Sequence, residues 1–227
     1  PKGYTKRVVE ELSKLTKLNL ISPDDLVEAT QSAGVLISFS STLKRIAVRQ
    51  SKIANDLRLL SSGPRAGFNE IKLPERQAGS SIMPGKVNPV IPEVINEIAF
   101  TVIGNDLTVT LAAEGGQLQL NAFEPIIARS ILMSVTYLRN GFATFTSNCV
   151  DGIVANTEFL RSEVENSIGL VTALSPQLGY ENATAVARHA QIENCTVRQA
   201  VIDLGLMTEQ EFDSALGDLV SLAKRKD

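Results

Sequence analysis

The side chains best equipped for chemistry stand together in one short stretch, Gly79-Ser80-Ser81-Ile82-Met83-Pro84-Gly85-Lys86-Val87-Asn88-Pro89. Gly79 and Gly85 bracket two hydroxyls and leave the backbone free to bend and present its N–H groups. Lys86 supplies a positive charge. Asn88 supplies an amide where a helix is expected to begin, and the amino end of a helix carries unpaired N–H donors and partial positive charge. Together these groups suit an anion, most simply a carboxylate or phosphate; a solvated surface loop is the alternative. A nucleotide-phosphate loop fails on spacing, because it needs Ser or Thr after Gly-Lys and Val87 stands there.

Other capable side chains are sparse. His189, the only histidine, sits in ATAVARHAQIENC, an amphipathic helical pattern, and reads as structural or exposed. Arg65 and Arg76 flank the loop and could help attract an anion, although nothing in the sequence separates them from solvated charges. Cys149 and Cys195 cannot make a disulfide scaffold and read as buried thiols of a reducing cytosol. No Cys, His and carboxylate spacing matches a metal site, so no metal and no cofactor are expected.

The elements that must position the loop read as helices. Residues 4–17 form one. Ser22, Pro23, Asp24 and Asp25 look like a helix start, with acids in the first turn. From there Leu26, Ala29, Ala33, Leu36, Ser40, Leu43, Ala47, Gln50, Ala54 and Leu57 recur in steps of three and four, predicting one long helix. Half of that stripe is small, so neighbouring helices can approach closely. Residues 61–89 then break the pattern with four Gly and four Pro in 29 residues, and a long loop inside a domain is usually functional or disordered. Its glycines and serines suggest a lid that closes on a ligand.

Asn88 and Pro89 restart a helix as cap and first residue, with Val94, Ile98, Val102, Asn105, Val109 and Ala112 along it, up to Gly115-Gly116. A further long helix runs from about Asn121 or Pro125 to Cys149, with Ile127, Ile131, Val135, Leu138, Phe142 and Phe145 on one face. Beyond Asn156 come shorter helices broken at Gly169, Pro176, Gly179 and Gly205, with capping-box spacings at Thr196/Gln199 and Thr208/Glu211. The expected fold is all-α: a long-helix bundle over residues 1–157 and a small helical domain over 158–227.

Composition narrows the function classes. The 227 residues are 44% hydrophobic and 21% charged, which argues against disorder, while 5% aromatic residues and no Trp mean an aliphatic core. A net charge of −3 leaves no basic footprint for nucleic acid. No membrane span is expected, since Glu97 and Arg129 interrupt the best apolar runs, short of the roughly 18 to 20 residues required. The amino terminus has neither a signal core nor a transit pattern, so a cytoplasmic protein is expected. The chain starts without Met and enters helix-forming sequence almost at once, as a chain does when it begins partway through a longer protein.

The eleven residues GSSIMPGKVNP resemble the loop of the fumarase and aspartase superfamily, homotetrameric lyases that release fumarate from succinyl-type substrates. The similarity extends over SGPRAGFNEIKLPERQAGSSIMPGKVNPVIPEV and the upstream KIANDLRLL. It implies that Ser80 is the base, that Ser81, Lys86 and Asn88 hold a substrate carboxylate, and that Glu93 orients a histidine from another subunit. For Glu93, simple placement of an acid in a first helical turn is the competing reading. GQLQLNAFEP, VIGNDLTVTLAAEGGQLQL and NSIGLVTALSP resemble the aspartase version, with Glu124 where the fumarase version typically has Lys. LGYENATAVA is nearer to the fumarase version.

The resemblance therefore implies elimination of ammonia from L-aspartate to give fumarate, with hydration of fumarate by a class II fumarase as the alternative. It implies a homotetramer built through the long helices, with neither nucleic acid nor membrane as a partner. It covers only about the second half of a family chain, so residues completing the site lie elsewhere and the piece alone is expected to be inactive. From a different class, a non-catalytic helical assembly module also fits the small-residue seam.

Overall fold

A computed structural model describes residues 2–77 and 86–217. They form helices α1 (Tyr4–Thr16), α2 (Leu26–Gln31), α3 (Gly34–Leu60), α4 (Val90–Glu114), α5 (Glu124–Asn148), α6 (Thr157–Asn166), α7 (Leu170–Glu193), α8 (Val197–Asp203) and α9 (Glu209–Leu216). Strands β1 (Ile71–Lys72) and β2 (Val154–Ala155) pair antiparallel, Ile71 opposite Ala155. The all-α class expected from periodicity is the one found.

The chain divides into two compact units, one of residues 1–62 and 73–153, the other of residues 63–72 and 154–227. In the first, α4 packs along both α3 and α5. Its core is aliphatic: Leu43 and Ala47 of α3, Ala99, Val102 and Val109 of α4, and Ile127, Ile131 and Leu138 of α5. Because α4 lies between two neighbours it buries more than one stripe. Ile95, Ala99 and Asp106 are buried beside the expected Val102 and Val109, while Val94 is exposed. Close approach is enforced at Gly141, where an added Cβ would stand 2.8 Å from Ile98 Cδ1.

Most buried polar side chains of this unit are paired, although Ser130 Oγ has no hydrogen-bond partner among the described residues. Asp106 forms an ion pair with Lys44 and accepts from Ser40 Oγ at 2.8 Å. Asn121 closes the turn from α4 to α5: its Nδ2 donates to Ala112 O at 3.1 Å, and its Oδ1 accepts from Phe123 N at 2.8 Å. By length and composition α4 is apolar enough to cross a membrane, because its best window runs past Glu97; that corrects the expectation that this residue interrupts it. A third of that window is already buried against protein.

The helix expected from residue 26 onward is two helices. Asp25 caps α2 by accepting from Val27 N (2.8 Å) and Glu28 N (3.1 Å), rather than Ser22 and Pro23 starting a single rod. Ser32 leaves the helix in an extended conformation, and α3 begins afresh at Gly34. Periodicity continues through the break, which is why the stripe hides it.

The second unit packs α7, α8 and α9 around Leu174, Leu178, Val186, Val197, Val201 and Phe212. Gly179, at φ 75°, kinks α7 just after Pro176. Asn156 ties this unit's two chain segments together: its N donates to Glu70 O at 2.9 Å and its Nδ2 to Asn69 Oδ1 at 3.1 Å.

Candidate functional site

Ser80 and Ser81 lie within residues 78–85, outside the described residues, as do Gly79 and Gly85. What the structure describes is the two feet of that segment and the helix it leads into. Leu73 and Pro74 on the entering side come together with Asn88, Pro89 and Pro92 on the leaving side, over Cys149 at the end of α5. The stretches that lead into and out of residues 78–85 thus meet on one support.

The entering foot is fixed by two devices. Arg76 donates from Nε to Asn148 O (2.9 Å) and from Nη2 to Ser147 O (3.2 Å), satisfying carbonyls at the carboxyl end of α5, where a cation is favoured. Pro74 packs so tightly on Gly152 that a Cβ there would collide with its ring. Arg76 is therefore a clamp on α5 rather than a free charge waiting for an anion. Burial pushes the Cys149 thiol up, against the opposing pull of the Arg76 charge, so this cysteine is a packing group. Arg65 belongs to the other unit.

On the leaving side Lys86 is exposed and makes no ion pair among the described residues. Asn88 is half-buried, and its carbonyl accepts from Val90 N at 2.9 Å. The cap position falls one residue later than expected, on Pro89, whose carbonyl accepts from Glu93 N at 3.1 Å. Proline has no side-chain acceptor, so the cap residue itself makes no side-chain cap. Lys86 shortly precedes Pro89 in the chain, so a cation leads into the positive end of α4.

Glu93, in the first turn of α4, stands 4.0 Å from Arg58 Nη2 in the last turn of α3. Arg58 Nη1 donates to Asn96 Oδ1 (3.2 Å), and Asn96 Nδ2 donates to Ser51 Oγ (2.9 Å) and Ser51 O (3.2 Å). Glu93 and Asn96, three residues apart, share a helical face and meet one guanidinium. Sequence reasoning missed Arg58, Asn96 and Ser51; the signal was an amide at position 96, on the helix's buried side. Glu93, Arg58, Asn96 and Ser51 thus form one connected polar chain at the start of α4. The described residues bring together Lys86, Asn88 and Glu93 at one end of α4, and they place His189 in the other unit.

Among described residues the fold also gathers His189, Cys195 and Asp203, whose ligand atoms lie within 4.8 Å of one another. Sequence spacing gave no sign of that group.

Comparisons with known proteins agree in direction. The family described as lyase matches residues 1–104, and the family described as fumarase C C-terminus matches residues 170–217. An aspartate ammonia-lyase of Pseudomonas aeruginosa is 55% identical over 207 residues, 91% of this chain and 44% of that protein. The crystal structure of a fumarate lyase:delta crystallin from Brucella melitensis bound to cobalt superposes with a TM-score of 0.92 at 49% identity, covering 99% of this chain and 48% of that one. A class II fumarase from Schistosoma mansoni superposes with a TM-score of 0.81 at 31% identity, over 95% of this chain and 48% of that one. The chain spans less than half the length of the curated relatives it matches.

Proposed function

The chain belongs to the fumarase and aspartase lyase superfamily, and from that premise we propose that the complete protein is an aspartate ammonia-lyase, converting L-aspartate to fumarate and ammonia. The observation that carries this reading is the gap between 55% identity to a curated aspartase and 31% to a class II fumarase.

The chemistry asks for what the loop contains. The proton to be removed sits on a carbon beside a carboxylate, and removing it leaves two negative charges shared with that carboxylate. Catalysis then depends on fixed donors and cations aimed at one carboxylate, where the charge develops. Ser80 takes the carbon-bound proton on Oγ as general base, its oxyanion stabilised by neighbouring N–H groups and Lys86. Ser81, Lys86 and Asn88 hold the aci-carboxylate. The electron pair left on carbon forms the double bond as the C–N bond breaks, and ammonia leaves. Support comes from the amino end of α4, which closely follows Lys86 in the chain, and from the Arg76 clamp on the approach to the loop. Glu93, ordered beside Arg58, orients a histidine of a neighbouring subunit in the assembled homotetramer. Phe100, Leu107, Leu111 and Leu132, exposed on α4 and α5, supply apolar surface for that assembly.

A class II fumarase is the second reading, favoured by LGYENATAVA and by the fumarase superposition. Fumarate absorbance with the full-length protein separates the two: L-aspartate should give fumarate and L-malate should not, and the reverse pattern overturns the assignment. Ser80→Ala should lower kcat by about 10³-fold with subunit assembly unchanged. Unaltered turnover in that variant would instead favour a helical module whose serine loop has no chemical part. The 227 residues by themselves should release no ammonia.

A further inference from the structure

We propose that His189, Cys195 and Asp203 form a binding site for a thiophilic divalent cation of the zinc class. The three residues come from successive parts of the second unit. His189 lies near the end of α7, Cys195 in the turn that follows, and Asp203 is the last residue of α8. One ligand atom from each lies within 4.8 Å of the other two, and His189 Nε2 stands 3.5 Å from Asp203 Oδ2. Zinc bonds of about 2.0–2.3 Å in a tetrahedron hold ligand atoms roughly 3.3–3.7 Å apart. The triangle therefore closes on an ion by about 1 Å, which rotation of a partly exposed side chain supplies.

The surroundings hold the ligands in this arrangement. Asn194 ends α7 at φ 50°, and Cys195 N donates to Ala190 O at 3.1 Å, which fixes the turn that carries the thiol. Gln199 Nε2 donates to Asp203 Oδ1 at 2.7 Å, occupying one carboxylate oxygen and leaving Oδ2 toward His189. A ligating carboxylate held by an outer hydrogen bond is the usual support of a metal centre. His189 and Cys195 are partly buried while Asp203 is exposed, so water has access to a fourth position.

The donor set selects the ion. Magnesium and calcium take oxygen ligands, whereas sulfur, imidazole nitrogen and one carboxylate suit zinc. On binding, the Cys195 S–H bond breaks, its proton goes to solvent, and the thiolate electron pair makes the metal bond. The ion then ties the end of α7 to the end of α8. Because the site lies in the second unit and uses none of the serine-loop residues, its effect is on stability, and it does not depend on which substrate the lyase takes.

Cobalt(II) titration of the full-length protein tests the site, with cobalt as a spectroscopic stand-in for zinc. Wild type should bind one more ion per chain than Cys195→Ser or His189→Gln, show a near-ultraviolet thiolate-to-cobalt band, and lose that band on adding zinc. Gln199→Ala should bind about 10-fold more weakly. Excess zinc should raise the unfolding temperature of wild type by several degrees, on the order expected for a ligand that binds only the folded state, and leave Cys195→Ser unmoved. If either substitution costs folding, Asp203→Asn at its exposed position carries the same comparison. Absence of the band in wild type, or its undiminished persistence in a folded variant of His189, Cys195 or Asp203, overturns the proposal.

Discussion

The two compact units solve the same packing problem with different chemistry. Among the described residues, Ser40, Asn96, Asp106, Asn121, Ser130 and Ser134 are the buried polar ones, and all of them lie in the unit that carries the feet of the serine loop. The second unit's buried core is made of aliphatic side chains and Phe212. Long parallel stripes of small residues pack almost equally well after sliding by one turn, whereas a Lys44–Asp106–Ser40 contact exists in one register only. The bundle thus uses polar pairs to fix where Glu93 and Asn88 end up. The second unit, built from shorter elements, uses caps and a compact apolar centre.

Phe212→Ala should show the largest effect on stability. The ring is almost wholly buried, with Arg198 stacked 4.7 Å from its centroid. Truncation should cost about 3–5 kcal/mol, read as faster amide exchange in α7 and α8. Phe212→Leu should recover much of it, since most of the contribution is buried area. A loss below 1 kcal/mol would break the contrast, because an apolar core that tolerates removal of its one ring is not what holds the unit.

Asp106→Ala tests the other side. The substitution strands Ser40 in the core and frees Lys44, which is partly exposed and can return to water. The cost should be about 2–3 kcal/mol, below that of a fully buried pair. Burial pushes the Asp106 carboxyl up, but the Lys44 ammonium and the Ser40 and Ser41 hydroxyls outweigh it and hold the group below the ordinary aspartate range. A lowered folded-state value gives stability that is complete above the unfolded aspartate range and disappears as pH falls through the lowered value. Wild type minus Asp106→Ala stability should therefore be flat near neutrality and shrink only in strong acid. A difference that instead grew as pH fell would mean the carboxylate is not the paired species.

What was legible in the sequence follows this division. Apolar periodicity found α4, α5 and the core positions Val102, Val109, Ile127, Ile131 and Leu138, because burial of aliphatic area is what periodicity records. It could not find the interruption at Ser32 and Ala33, since two residues outside the helix leave the step of three and four nearly intact. It also missed Arg58, Asn96 and Asp106, which pair with residues far away in sequence, Arg58 with Asn96 at a separation of 38 and Asp106 with Ser40 at 66. The loop could be read as a candidate for chemistry because glycines, hydroxyls and Lys86 stand adjacent in the chain. Its support could not be read, because nothing local in Arg76 announces that it reaches the end of α5. The start of α4 shifted by one residue because Asn88 and Pro89 are both acceptable at a helix boundary, and only the backbone decides.

The smallest effect separates the units most sharply in kind. Sequence spacing proposed capping boxes at Thr196 and Thr208. Thr208 forms the complete one, its Oγ1 accepting from Glu211 N at 3.3 Å while Glu211 Oε2 accepts from Thr208 N at 2.8 Å. Thr196 accepts from Gln199 N at 3.2 Å, but the Gln199 side chain reaches forward to Asp203 instead of back. The bonds from Thr208 hold the Glu211 carboxyl below its usual range, the Thr208 backbone donor foremost. Thr208→Ala should cost about 1 kcal/mol, and Thr208→Ser should restore it. Thr196→Ala should cost less, having one donor to lose and no reciprocal bond. Equal losses at the two positions would show that the reciprocal bond from Glu211 adds nothing, and that α9 is held in place by Phe212 alone.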